Sequence, residues 1–147
     1  MSVENALLKA IHGRLAGDNS LTALVGPDGI HDRLLARPKL PAIVFGDMET
    51  RDFSTATEPG AEHFLTLQVW CEGDGRRRAL EIAARVTTLL DDVSLALEDA
   101  VLVSLLRTGM RTRREPKTRY YLADIRFRAV TEPGNGPNAP DAPARSA

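Results

Sequence analysis

Apolar residues recur at three- and four-residue steps over Val3, Leu7, Leu8, Ile11 and Leu15, which predicts an amphipathic helix over 3–16 with Ser2 as its N-cap. Gly17-Asp18 ends that pattern, and a short helical turn at 20–25 runs into Gly26-Pro27-Asp28-Gly29, a turn by its chemistry. Pro38 and Pro41 exclude a helix between them, and 42–46 (Ala-Ile-Val-Phe-Gly) reads as a strand covered on both faces near its start. The chain turns polar after Asp47, and 52–60 is rich enough in Ser, Thr, Pro and Gly to form a long hairpin loop. From His63 to Cys71 the pattern alternates, with Leu65, Leu67, Val69 and Cys71 on one face and Phe64, Thr66, Gln68 and Trp70 on the other. This strand is expected to pair antiparallel with 42–52. Gly73-Asp74-Gly75 breaks it and offers Asp74 as an N-cap. Ala79, Ile82, Ala83, Val86, Leu89 and Leu90 then mark the stripe of a helix over 76–91. Strands at 101–114 and 118–131 follow, separated by Glu115-Pro116-Lys117. In the second, Tyr121, Ala123, Ile125, Phe127 and Ala129 oppose Asp124, Arg126 and Arg128.

The order is helix, strand, strand, helix, strand, strand. It predicts an α+β domain over 1–132: a mainly antiparallel four-stranded sheet, two hairpins, with helices packed on one face. Residues 133–147 read as a flexible Pro/Gly/Ala-rich tail. Among 147 residues, 43% are hydrophobic and 27% charged, as in a folded water-exposed domain, and no apolar run approaches a membrane span. The first residues lack the basic and apolar regions of a secretory signal, so synthesis in a cytoplasm is expected.

Catalytic chemistry finds little purchase. Cys71 is the single cysteine, which excludes an intrachain disulfide and a thiolate metal cluster, and its apolar strand predicts an unreactive, buried thiol. His12, His31 and His63 stand at no metal-binding spacing and read as surface or loop residues. There is no Gly-x-Ser-x-Gly elbow, and Gly73-Asp74-Gly75 lacks the lysine of a phosphate-binding loop. No enzyme, metal or cofactor is expected.

Charge carries more. The net charge of −1 opposes a protein that grips nucleic acid by its phosphates, but the charges are segregated. Residues 41–62 hold five carboxylates (Asp47, Glu49, Asp52, Glu58, Glu62) against Arg51, a net −4. Residues 107–128 hold eight cations against Glu115 and Asp124, a net +6. Unlike patches on one chain can join copies head to tail, and such a contact closes into a ring when the rotation permits. The candidate interface residues are therefore Asp47, Glu49, Asp52 and Glu58 on one side, and Arg111, Arg113, Arg114 and Lys117 on the other. Arg76 and Arg77 join them because cations in the first turn of a helix oppose its dipole and call for another partner. The alternative reading is a nucleic-acid-binding module over 107–128, where Tyr120, Tyr121 and Phe127 interleave with arginines.

The segments 6–11 (ALLKAI), 21–26 (LTALVG), 41–46 (PAIVFG), 57–63 (TEPGAEH) and 126–133 (RFRAVTEP), in this order and spacing, resemble the tail-completion, or tail-terminator, proteins of siphophages and alphaproteobacterial gene transfer agents. The likeness spans about residues 3–133. It implies a structural virion subunit of the neck/tail junction, made in the bacterial cytoplasm, with no catalytic residues. The implied partners are five further copies in a hexameric ring, the tail tube protein and a head-side neck or stopper protein, with double-stranded DNA passing through the hole.

Overall fold

The structure, a computed structural model, describes residues 1–33, 38–73 and 75–134. Helix α1 (Val3–Ala16) starts where the Ser2 hydroxyl accepts the Asn5 N–H and stops at Gly17. Helix α2 (Asn19–Val25) is capped by Asp18, whose carboxylate accepts the Leu21 N–H at 2.8 Å. That carboxylate also receives a two-pronged contact from Arg85 at 2.9 and 2.6 Å, tying the cap of α2 to the third helix. The Arg85 hydrogen bond holds the Asp18 carboxyl down at about 2.

Strand β1 (Ile30–His31) is followed by the long strands β2 (Ala42–Asp52) and β3 (Ala61–Cys71), then by helix α3 (Arg76–Leu90). A short β4 (Ala96–Leu97), β5 (Ala100–Arg114) and β6 (Tyr121–Pro133) complete the chain. The described N-cap of α3 is Gly75, which makes no side-chain bond; Asp74, predicted for that role, lies outside the described residues, as do 135–147 of the predicted tail.

The sheet is not the expected mainly antiparallel four-stranded one of two hairpins. The sheet has six strands in the order β1-β2-β3-β6-β5-β4, and it is mixed, because β1 runs parallel to β2. It curls into a half-barrel with three helices. The reason is physical. Each added strand is two residues long, too short for any alternation to appear, and each simply continues the hydrogen bonding of a longer neighbour. The second hairpin inserts with β6 beside β3 along its whole length, from Ala61 opposite Thr131 to Cys71 opposite Tyr121.

One face of the sheet carries the core. Leu65, Leu67, Val69, Cys71, Ala123, Ile125 and Phe127 meet Leu7, Ile11 and Leu15 of α1, Leu21 of α2 and the predicted stripe of α3. Cys71 is buried there, and burial pushes its thiol up to about 11, which keeps it protonated and inert. His63 departs from its expected surface position. It is fully buried on this face, with Nδ1 2.9 Å from the Thr50 hydroxyl and Nε2 2.8 Å from that of Thr131, so one imidazole links β2, β3 and β6. Burial pushes its pKa below the usual histidine value.

The opposite face is open except at one end, where Val44, Trp70 and Leu122 form a small second cluster with Leu40 and Tyr120.

Candidate assembly interface

The register of the long strands decides where the charged loops lie. The 53–60 loop joins β2 to β3 at the end of the sheet marked by Ala61 and Thr131, and the 115–120 loop joins β5 to β6 at the end marked by Cys71 and Tyr121. The two hairpin tips therefore point in opposite directions, separated by the length of β3, about 33 Å at about 3.3 Å per residue.

At the acidic end, Asp52 accepts the Ser54 hydroxyl at 2.7 Å, and Glu58 turns the loop through its carbonyl, which accepts the Thr55 N–H. Both side chains are exposed. Asp99, from the turn before β5, and Glu132, near the end of β6, line the same recess as Asp52. The acidic end thus draws carboxylates from three separate stretches of chain, of which the charge pattern over 41–62 revealed one.

At the basic end the structure brings together two runs about forty residues apart. Arg76 donates from Nε to the Tyr121 hydroxyl at 2.9 Å, and its guanidinium lies 5.5 Å from the centre of that ring. Arg114 stacks on the same ring at 5.6 Å and donates to the Gly73 and Arg119 carbonyls. The start of α3, carrying Arg76 and the exposed Arg77, is therefore docked against the base of the hairpin that carries Lys117 and Arg119. The Glu115 carboxylate organises this turn by accepting the N–H groups of Lys117 and Thr118, which lowers its pKa. Arg119 sits at φ +63°, a left-handed backbone that favours glycine.

The remaining predicted residues lie on the open face between these ends. Glu49 pairs with Arg51 at 2.9 Å in an exposed contact. Arg113 is bound within its own sheet, donating to Asp124 at 2.9 Å, while Asp124 in turn accepts from Gln68, which accepts from Trp70. Asp47, at an irregularity in β2, and Arg111 face a shallow trough of about 410 Å³ that also holds Arg113, Asp124 and Arg126. Exposed apolar side chains that charge reasoning missed lie toward the acidic end. Phe53, Val101, Val103 and Leu106 remain 40–53% exposed, and the Arg128 guanidinium covers the Phe53 ring at 5.3 Å. The apolar run 100–106 carried the signal, since one side of a half-covered strand has to face outward.

The single-strand-binding reading loses its aromatic platform. Tyr121 and Phe127 are buried on the helix-covered face, and Tyr120 packs edge-on against Trp70 at 6.0 Å, so these rings are not arrayed for base stacking. Among the described residues there is no group of three or more His, Cys, Asp or Glu side chains placed to hold a metal ion, and no helix is long and apolar enough to cross a membrane.

The family described as tail completion protein gp17 matches residues 9–132. A chain of the solved structure titled "Virion of native gene transfer agent (GTA) particle" is 30% identical, with a TM-score of 0.81 over 89% of this chain and 98% of that one. No curated protein matches the chain. With a family match across most of the sheet and all of α3, and a virion subunit of the same fold, the chain belongs to the tail-completion protein gp17 family and is a structural tail protein of a phage or phage-like particle.

Proposed function

We propose that this subunit is the tail terminator: a ring, six copies by family resemblance, that caps the head-proximal end of the tail tube, ends its growth and joins it to the neck. The observation that carries this reading is the segregation of charge to opposite ends of the same strands. A ring whose axis follows the strands has one acidic and one basic annular face, and can therefore bind two different partners in a fixed order. The sheet and α3 supply the rigid support, and the two hairpins supply contacts to the rings above and below. DNA crosses the hole without sequence recognition, and a chain of net charge −1 does not hold it tightly.

Particles produced without this chain test the proposal. Tails of uncontrolled length and heads lacking tails are expected by electron microscopy, and supplying the chain in trans restores both. Tails of normal length firmly attached to heads refute it.

A further inference from the structure

Two sheet edges stand largely uncovered. On β5, β4 covers only Ala100 and Val101, and the 91–92 turn bonds to Leu105 and Arg107. On β2, β1 covers only Ile43 and Val44. The alternation of the strands identifies which amides face outward. The Glu115 N–H points inward to the Tyr120 carbonyl, so Met110 and Thr112 present their main-chain groups to the outside. The Phe53 N–H points inward to Gly60, so Met48, Thr50 and Asp52 do the same on β2. Among the described residues none pairs with these groups. Bare edges of this kind invite another strand, and natural chains that do not use them usually block them.

The edges are also unlike in charge. Arg111 and Arg113 project from β5 on the open face, and Arg126 reaches across β5 above Gly109, where a Cβ would lie 2.8 Å from its guanidinium. Asp47 and Glu49 project from β2 on the same face. Asp47, Arg111 and Arg126 have no ion-pair partner among the described residues. They lie on strands of one chain, yet β2 and β5 are separated by β3 and β6, about 14 Å at about 4.8 Å per strand.

We propose that the occupant of each edge is the other edge of a second copy: β5 of one subunit pairs antiparallel with β2 of the next, so that the sheets join around the ring. This rests on the ring reading above and adds the contact that closes it. Rotation about an axis along the strands preserves their direction, and because β2 and β5 run oppositely within one chain, they meet antiparallel between chains. The contact joins two different surfaces, so it is heterologous and, where the rotation between copies closes, generates a ring rather than a two-fold dimer. A stagger of about four residues, about 13 Å, sets Arg111 and Arg113 opposite Glu49 and Asp47, and a stagger of this sort accompanies the strand tilt of any closed sheet.

The test uses assembled particles. Glu49→Cys and Arg111→Cys are combined in one chain, particles are purified and treated with a short bifunctional thiol reagent, and the dissociated subunits are sized on a denaturing gel. Buried Cys71 does not compete. A ladder of covalent multimers is expected from the double variant, and nothing beyond monomer from either single variant. As a second readout, hydrogen exchange at Met48, Thr50, Met110 and Thr112 is expected to slow at least about tenfold in particles relative to free subunit, as hydrogen-bonded amides do. Particles that contain the chain but yield neither ladder nor protection overturn the edge pairing and leave the terminator reading standing. Particles that lack the chain overturn both.

Discussion

Particles assembled with Lys117→Glu and Arg119→Glu together are expected to be at least about tenfold fewer in properly joined form, because a small loss at one tip is repeated at every copy around the proposed ring. These two residues are the right probes of the basic end. Neither side chain holds its own hairpin, whereas Arg114 secures the Gly73 carbonyl and Arg113 is bound to Asp124. The purified variant is expected to melt with the parent, since exposed charges contribute little to a monomer. Counting joined particles by microscopy beside a thermal melt separates the two effects. Full yields of joined particles from the folded variant would remove the basic end from the assembly contacts.

A large loss of fold stability is expected at His63. Its replacement by Ala opens a cavity among β2, β3 and β6 and strips the Thr131 hydroxyl, itself buried, of its partner. A destabilisation of about 2–4 kcal/mol follows. The same residue sets a pH dependence. Its folded pKa is depressed by burial, so below about pH 6.5 the unfolded chain takes up a proton that the folded one refuses. Stability is therefore expected to be level above pH 7 and to decline as pH falls through 6. His63→Gln, which cannot titrate, is expected to flatten that decline. Urea denaturation at pH 7.5 and 5.5 measures both, and an equal slope in parent and Gln variant would contradict the assignment.

Local spacing and long-range pairing divide what is legible in the sequence from what is not. Long elements announce themselves: the stripe of α3 and the alternation over 63–71 need only local spacing, and Phe127, Ile125 and Ala123 fall on the core side as the alternation over 118–131 requires. Strands of two residues carry no period, so β1 and β4 were invisible and the sheet was undercounted. The two charged loops were legible as composition. Their opposition was not, because it depends on β6 pairing with β3, a contact between residues up to seventy apart. His63 was misplaced for a related reason. The alternation over 63–71 puts it on the side of Leu65 and Leu67, but a polar ring argues for exposure until the partners that satisfy it are known, and these, Thr50 and Thr131, come from two other strands. Arg113 and Asp124 likewise meet only through strand register.

Arg119 carries a lesson for anyone reworking this subunit. A left-handed backbone at a bulky residue costs about 1 kcal/mol relative to glycine, so Arg119→Gly is expected to harden the free polypeptide by about that amount, read as a higher denaturation midpoint. The same exchange deletes a cation from the face proposed to meet a partner. Under that proposal, stabilisation at this tip trades robustness in solution against competence in the particle, and a screen for thermal resilience alone selects the wrong variant.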